Sequence, residues 1–92
     1  MRMNEKTFDI VLYGRNKCHL CDEVELYIRS LAEEFPLRMR IVDIESDPVL
    51  HEEMMLVIPV VEIDGEIVFR SITHVVTLEE LRSELQRRAA RS

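Results

Sequence analysis

The stretch Ile10-Val11-Leu12-Tyr13-Gly14-Arg15-Asn16-Lys17-Cys18-His19-Leu20-Cys21 decides the fold. Its apolar first part continues a run that begins at Phe8 and reads as a largely buried strand, rich in Ile, Val and aromatics. After the turn, Leu20, Val24, Tyr27, Ile28, Leu31 and Phe35 recur at three- and four-residue steps. That spacing predicts an amphipathic helix over residues 18–34, stopped before Pro36. Cys18 and Cys21, the only cysteines of the chain, therefore stand where strand gives way to helix. A spacing of three on a helix sets two side chains on one face, their Cβ atoms about 5–6 Å apart. A disulfide needs Cα atoms about 4.4–6.8 Å apart, so the pair can close and reopen without refolding the protein.

Working outward, Leu37, Met39, Ile41 and Asp43 alternate with Arg38, Arg40, Val42 and Ile44, an imperfect pattern for a second strand. Ser46-Asp47-Pro48 supplies an N-cap and a proline for the first helical position, opening a short helix that ends near residue 55. Val60-Val61-Glu62-Ile63, Asp64-Gly65 and Glu66-Ile67-Val68-Phe69 predict a hairpin, because Asp-Gly supplies the positive φ angles of a type I′ turn. Thr77-Leu78-Glu79-Glu80 is a capping box, and Leu78, Leu81, Leu85 and Ala89 then stripe one face of a last helix. The order is β-α-β-α-β-β-α. Its opening unit implies a parallel pair with a right-handed crossover, and its hairpin is antiparallel. The expected class is α/β, with a four-stranded mixed sheet flanked by helices.

With 92 residues the chain makes one domain, 1–92, with 1–7 and 89–92 expected as flexible ends. The start of the chain lacks the apolar region of a secretory signal, and no apolar run approaches the ~20 residues of a membrane span. We expect a cytoplasmic protein with no membrane partner. A formal charge of −6 argues against nucleic acid, which needs clustered Lys and Arg. The one basic cluster, Arg82, Arg87, Arg88 and Arg91, suits the C-terminal end of a helix dipole. In a reducing compartment a Cys-x-x-Cys is catalytic or metal-binding rather than structural.

A thiol is a nucleophile only as thiolate. Cys18, expected first in the helix, faces unpaired N–H groups and should be the more acidic thiol, with Arg15 and Lys17 adding positive potential. Asp22, Glu23 and Glu25 oppose this. Cys21, one turn deeper, is placed as the resolving thiol. A zinc site would need four ligands, and His19, His51 and His74 lack zinc-finger spacing, so we expect no metal. Two other readings stay open: an incidental buried pair, or a redox fold that keeps its thiols and serves as a binding module. His19 is either an imidazolium that makes the disulfide more oxidising or a solvent-exposed residue of the first turn. Ile58-Pro59 opens an apolar strand; a trans bond is the general preference.

The pattern over residues 8–88 resembles the thioredoxin-fold superfamily, and glutaredoxins most closely. Leu12 to Cys21 is similar to the glutaredoxin strand-turn-motif segment, Val57-Ile58-Pro59 to the segment carrying a cis-proline, and Asp64-Gly65 to the last hairpin turn. Cys-His-Leu-Cys-Asp-Glu with Val42-Asp43-Ile44-Glu45-Ser46-Asp47-Pro48 looks more narrowly like a small glutaredoxin-like group of poorly defined function. The resemblance implies a thioredoxin-like fold and a thiol-disulfide oxidoreductase in cell redox homeostasis. It makes Cys18 the nucleophile and Cys21 the resolving thiol. Arg15 would pair with a glutathione carboxylate, Pro59 would be cis, and Ile58 would offer backbone N–H and C=O to substrate; Lys17 and His19 complete the binding side.

No resident cofactor is implied. Glutathione is a candidate reductant, a thioredoxin-reductase-like protein another, and the substrate a disulfide-containing protein or a small thiol met by a monomer. The alternatives are a non-catalytic binding module, or a dimer bridging an iron–sulfur cluster through Cys18 with glutathione. One departure bears on glutathione: where glutaredoxins carry a Gly-Gly pair and an acidic residue, this chain has Phe69-Arg70-Ser71-Ile72-Thr73.

Overall fold

The computed structural model describes residues 6–91. Strand β1 (Phe8–Gly14) leads into helix α1 (His19–Leu31), strand β2 (Leu37–Asp43), a 3₁₀ turn (Ile44–Ser46) and helix α2 (Pro48–Met54). Strands β3 (Val60–Ile63) and β4 (Glu66–Phe69) form the hairpin, and helix α3 (Leu78–Arg91) ends the chain. The sheet order is β2-β1-β3-β4, with β1 parallel to β2 and antiparallel to β3, and β3 antiparallel to β4. This is the mixed four-stranded α/β sheet that the sequence order predicts.

The alternation of β1 sends side chains to two cores. Phe8, Ile10 and Leu12 meet Val24, Ile28 and Leu31 of α1, Leu81 and Leu85 of α3, and Val61 and Ile63 of β3. On the opposite face Tyr13 packs with Ile44, Met54 and Val60 beneath α2. Both Asp64 and Gly65 have positive φ, 51° and 86°, as the Asp-Gly signal requires. Asp64 also accepts the Asp9 N–H at 2.9 Å, which ties the hairpin tip to β1.

Helix α1 stops at Leu31, short of the expected residue 34. The residue before a proline is pushed out of the α region, so the chain tightens ahead of Pro36. Glu33 N–H donates to Ser30 O and Glu34 N–H to Leu31 O, the three-residue bonds of a closing turn. Ile41 is half exposed, because β2 is the sheet's edge strand. Of the expected flexible ends, residues 1–5 and 92 lie outside the described residues, while 89–91 form the last turn of α3. Arg82 bonds Glu34 and Glu79, Arg87 bonds Glu84, and Arg88 bonds Glu84 and Glu66. Most of the basic cluster is thus neutralised by carboxylates. No helix of the described residues is long and apolar enough to cross a membrane.

The capping box forms as read: Glu80 N–H donates to Thr77 Oγ1 at 3.1 Å and Thr77 N–H to Glu80 Oε1 at 2.9 Å. Thr77→Ala should cost about 1 kcal/mol in urea unfolding, while Thr77→Ser keeps the cap and most of the stability. Equal stability of wild type and Thr77→Ala would remove the cap's role. The Thr77 N–H, aided by the His74 ring, holds the Glu80 carboxyl below the ordinary carboxylate range. A depressed folded pKa contributes stability that is present above the unfolded value and lost as pH falls through the folded one. The stability deficit of Glu80→Gln should therefore be full at pH ~7 and shrink as pH falls below ~4. A deficit that stays constant to acid pH would refute the linkage.

Candidate redox site

The end of β1 and the first turn of α1 build the site from one short connection. After Gly14 the chain turns through Arg15 and Asn16, and Lys17 adopts a left-handed φ of 59°. A non-glycine residue there costs about 1–2 kcal/mol, and the turn redirects the chain into the helix. Cys18 then sits at φ −109° and ψ 102°, so it is the N-cap of α1 and not its first helical residue. Its sulfur occupies the place of a capping hydroxyl: Cys21 N–H donates to Cys18 Sγ at 3.2 Å. The expected proximity to the helix N-terminus holds, by an N–H aimed at the sulfur itself. An N–H donor and the helix dipole at this position favour a thiolate.

Cys18 and Cys21 form a disulfide, with Cα atoms 5.2 Å apart. The two sulfurs are not equally accessible. Cys21 is buried at 6% exposure beneath Cys18, which is half-buried. Gly14 permits this placement: a Cβ there would stand 3.0 Å from Cys21 Sγ and 3.1 Å from Cys21 Cβ. Beside the buried sulfur lies a cleft of about 180 Å³, lined in part by Arg15, Lys17, Asp22, Glu25, Ile41 and Asp43. Arg15, Lys17 and His19 are exposed, and none has a carboxylate within ion-pairing distance among the described residues. Among the described residues no group of three His, Cys, Asp or Glu side chains is arranged to hold a metal ion.

The second side of the site comes from β3. Tyr13 pairs with Val60, so one further step of the register sets Pro59 beside Gly14. The Ile58–Pro59 peptide bond is cis. Ile58 N–H donates inward to Met54 O at 3.1 Å, which corrects the expectation that it is free for a substrate. The helical turn closing α2 takes that donor. The sequence reading also missed Ser71. Its N–H donates to Val57 O at 2.8 Å and its Oγ to Pro59 O at 2.8 Å, clasping the proline loop from both sides. A serine two residues beyond a strand carries no periodic signal; only the folding-back of residue 71 onto residue 59 reveals it.

One further contact stands near this end. Tyr13 OH donates to Glu62 Oε1 at 2.7 Å across β1 and β3. Partial burial first, and then the Glu62 carboxylate, raise the Tyr13 pKa. Met54 is core, while His74 pairs with Glu80, so neither joins the site. The closeness of Gly14 to Cys21 carries a direct test. Gly14→Ala should destabilise the oxidised protein by roughly 1–3 kcal/mol, because its methyl presses on a sulfur held by a rigid helix. An unchanged urea midpoint in oxidised Gly14→Ala would show that the contact is not limiting.

Residues 9–86 match the model of the glutaredoxin-like domain family (DUF836). Among solved structures the chain is similar to protein Ne2328 from Nitrosomonas europaea, with a TM-score of 0.73 and 19% identity over 91% of this chain and 98% of that one. It is also similar to thioredoxin 1 from Thermosipho africanus, with a TM-score of 0.65 and 18% identity over 87% and 92% of the two chains. Oxidised thioredoxin from Plasmodium falciparum gives a TM-score of 0.62 and 14% identity over 89% and 81%. At these identities the structures speak for the fold alone. No curated protein matches the chain in sequence. With the family model spanning β1 to α3 around a single Cys-x-x-Cys disulfide, the chain belongs to the glutaredoxin-like domain family.

Proposed function

We propose that the protein is a thiol-disulfide oxidoreductase in which Cys18 attacks and Cys21 resolves. The observation that carries this reading is the inequality of the two sulfurs. Cys18 caps α1, receives the Cys21 N–H and is partly open to solvent, whereas Cys21 is buried behind it. In the dithiol form, the Cys18 thiolate attacks one sulfur of a target disulfide. The target S–S bond breaks, its other sulfur leaves as thiolate and takes a proton, and a mixed disulfide forms on Cys18. Cys21 then loses its proton and attacks the Cys18 sulfur, releasing the second target thiolate and closing the intramolecular disulfide. Two electrons pass from the protein to the target.

Arg15 and Lys17 supply positive potential beside the attacking sulfur, and His19, exposed in the first turn, is placed to add to it when protonated. Pro59 and the Ile58 carbonyl form the wall against which an incoming disulfide lies. The cycle closes with an external two-electron reductant, glutathione or a thioredoxin-reductase-like protein, in a reducing compartment such as the cytoplasm. A monomer suffices, since one chain holds both thiols. In this reading its physiological place is the maintenance of cellular thiol balance.

Mass spectrometry of the two serine variants tests the roles. Cys18→Ser should lose all reaction with oxidised glutathione, whereas Cys21→Ser should stop as a Cys18–glutathione mixed disulfide. The reverse pattern would exchange the two roles. Absence of any reversible disulfide in wild type over a glutathione redox titration would overturn the oxidoreductase reading.

A further inference from the structure

Closing the disulfide requires Cys21 to lose a proton before it attacks, yet Cys21 is only 6% exposed. A thiol buried among apolar groups resists ionisation, so this step needs a base within reach. The cleft of about 180 Å³ borders Cys21 and has room for several waters. Titratable groups face it from three segments: Arg15 and Lys17 from the β1–α1 connection, Asp22 and Glu25 from α1, and Asp43 from the end of β2. On the other side of β1, Val60 and Pro59 bring no ionisable group. Three carboxylates against two cations leave the cleft with proton acceptors to spare.

The sheet singles out Asp43. In the parallel pair β1–β2 it is the register partner of Gly14. Register partners in a parallel ladder send their side chains to the same face. Gly14 identifies that face, because its Cβ position lies 3.0 Å from Cys21 Sγ. Asp43 therefore projects to the side of the sheet on which Cys21 lies. At the usual strand spacing its Cβ is at most about 8 Å from the sulfur, and its carboxylate lines the cleft between them. A single water joins groups about 5–6 Å apart and covers what remains. The carboxylate is also half committed and half free. Oδ1 accepts the Glu45 N–H at 2.9 Å, which fixes the side chain at the head of the 3₁₀ turn. Oδ2 has no partner among the described residues. Glu25, by contrast, is engaged by Nε and Nη2 of Arg29, and Asp22 is exposed in the first turn of α1.

We propose that Asp43 is the proton acceptor for Cys21: through a water in the cleft, its Oδ2 takes the thiol proton as the Cys21 sulfur attacks Cys18. This rests on the oxidoreductase reading and assigns the proton that the exchange cycle leaves unplaced. The water gives one proton to Oδ2 and receives the thiol proton in its place. The freed electron pair of Cys21 forms the bond to Cys18 Sγ, the bond from Cys18 to the target sulfur breaks, and the target leaves as thiolate. Asp43 then passes its proton to solvent. In the opposite direction, when a reducing thiolate attacks Cys18, the Asp43 carboxyl returns a proton to the departing Cys21 thiolate by the same path.

The test mixes reduced full-length protein with an equimolar amount of the symmetrical disulfide of thionitrobenzoate in stopped flow. One coloured thionitrobenzoate leaves when Cys18 attacks, and the other leaves when Cys21 resolves the mixed disulfide. Cys21→Ser, which releases only the first, identifies the two phases. Asp43→Asn keeps an acceptor for the Glu45 N–H. It should slow the second phase roughly tenfold or more at pH ~7 without slowing the first. The deficit should shrink as pH rises past ~9, where a thiol ionises without a base. A second phase at the wild-type rate in Asp43→Asn, or a deficit equal at pH ~7 and pH ~10, would overturn the proposal and leave the oxidoreductase reading standing. So would a second phase slowed by Glu25→Gln or Asp22→Asn and not by Asp43→Asn. No second release from the wild type would overturn the oxidoreductase reading itself.

Discussion

The approach of Cys21 to the backbone of Gly14 is the contact on which the redox end of the molecule depends. Only hydrogen occupies the space where a Cβ would stand 3.0 Å from the sulfur. That clearance lets α1 begin close above the end of β1. It buries the second cysteine against the sheet while the first stays at the helix cap. A wider gap would let solvent reach both sulfurs alike, and the division of labour between them would lose its basis.

The rest of the site is held by a small number of bonds between segments distant in sequence. Ser71 reaches back to residues 57 and 59, and the parallel and antiparallel pairings of β1 bring Asp43, Gly14 and Pro59 to one end of the sheet. Each such bond contributes about 1 kcal/mol net, and their shared effect is positional. The core beneath α1 and α3 supplies the bulk of the stabilisation through Ile10, Leu12, Val24, Ile28, Leu81 and Leu85. Stability and geometry are thus separated: the apolar layers hold the fold, and the polar clasp at one end aims it. Ser71 stands two residues beyond the end of β4. Its side chain here is spent on the proline loop.

Much of this was legible from local pattern. The Asp64-Gly65 turn, the Thr77–Glu80 cap and the Asp47 cap of α2 are signals read within four residues, and each forms as expected. The misses lie where local and distant forces meet. Pro36 acts on the residue before it as well as on the helix, so α1 closes early. Cys18 leaves the helix for the cap because Lys17 turns the chain through a left-handed conformation. Ile41 keeps its place in an apolar alternation yet is half exposed, since periodicity does not say which strand is the edge.

By itself the sequence determined the element order, the strand-to-helix placement of Cys18 and Cys21, and the resemblance to a redox family. These follow from residue spacing and turn chemistry, which act over a few positions. Only the tertiary structure decided that Cys21 is the buried sulfur and that Ser71 clasps the proline loop. Burial and hydrogen-bond satisfaction are properties of the packed chain, set by segments up to half its length apart, and no local window of residues contains them.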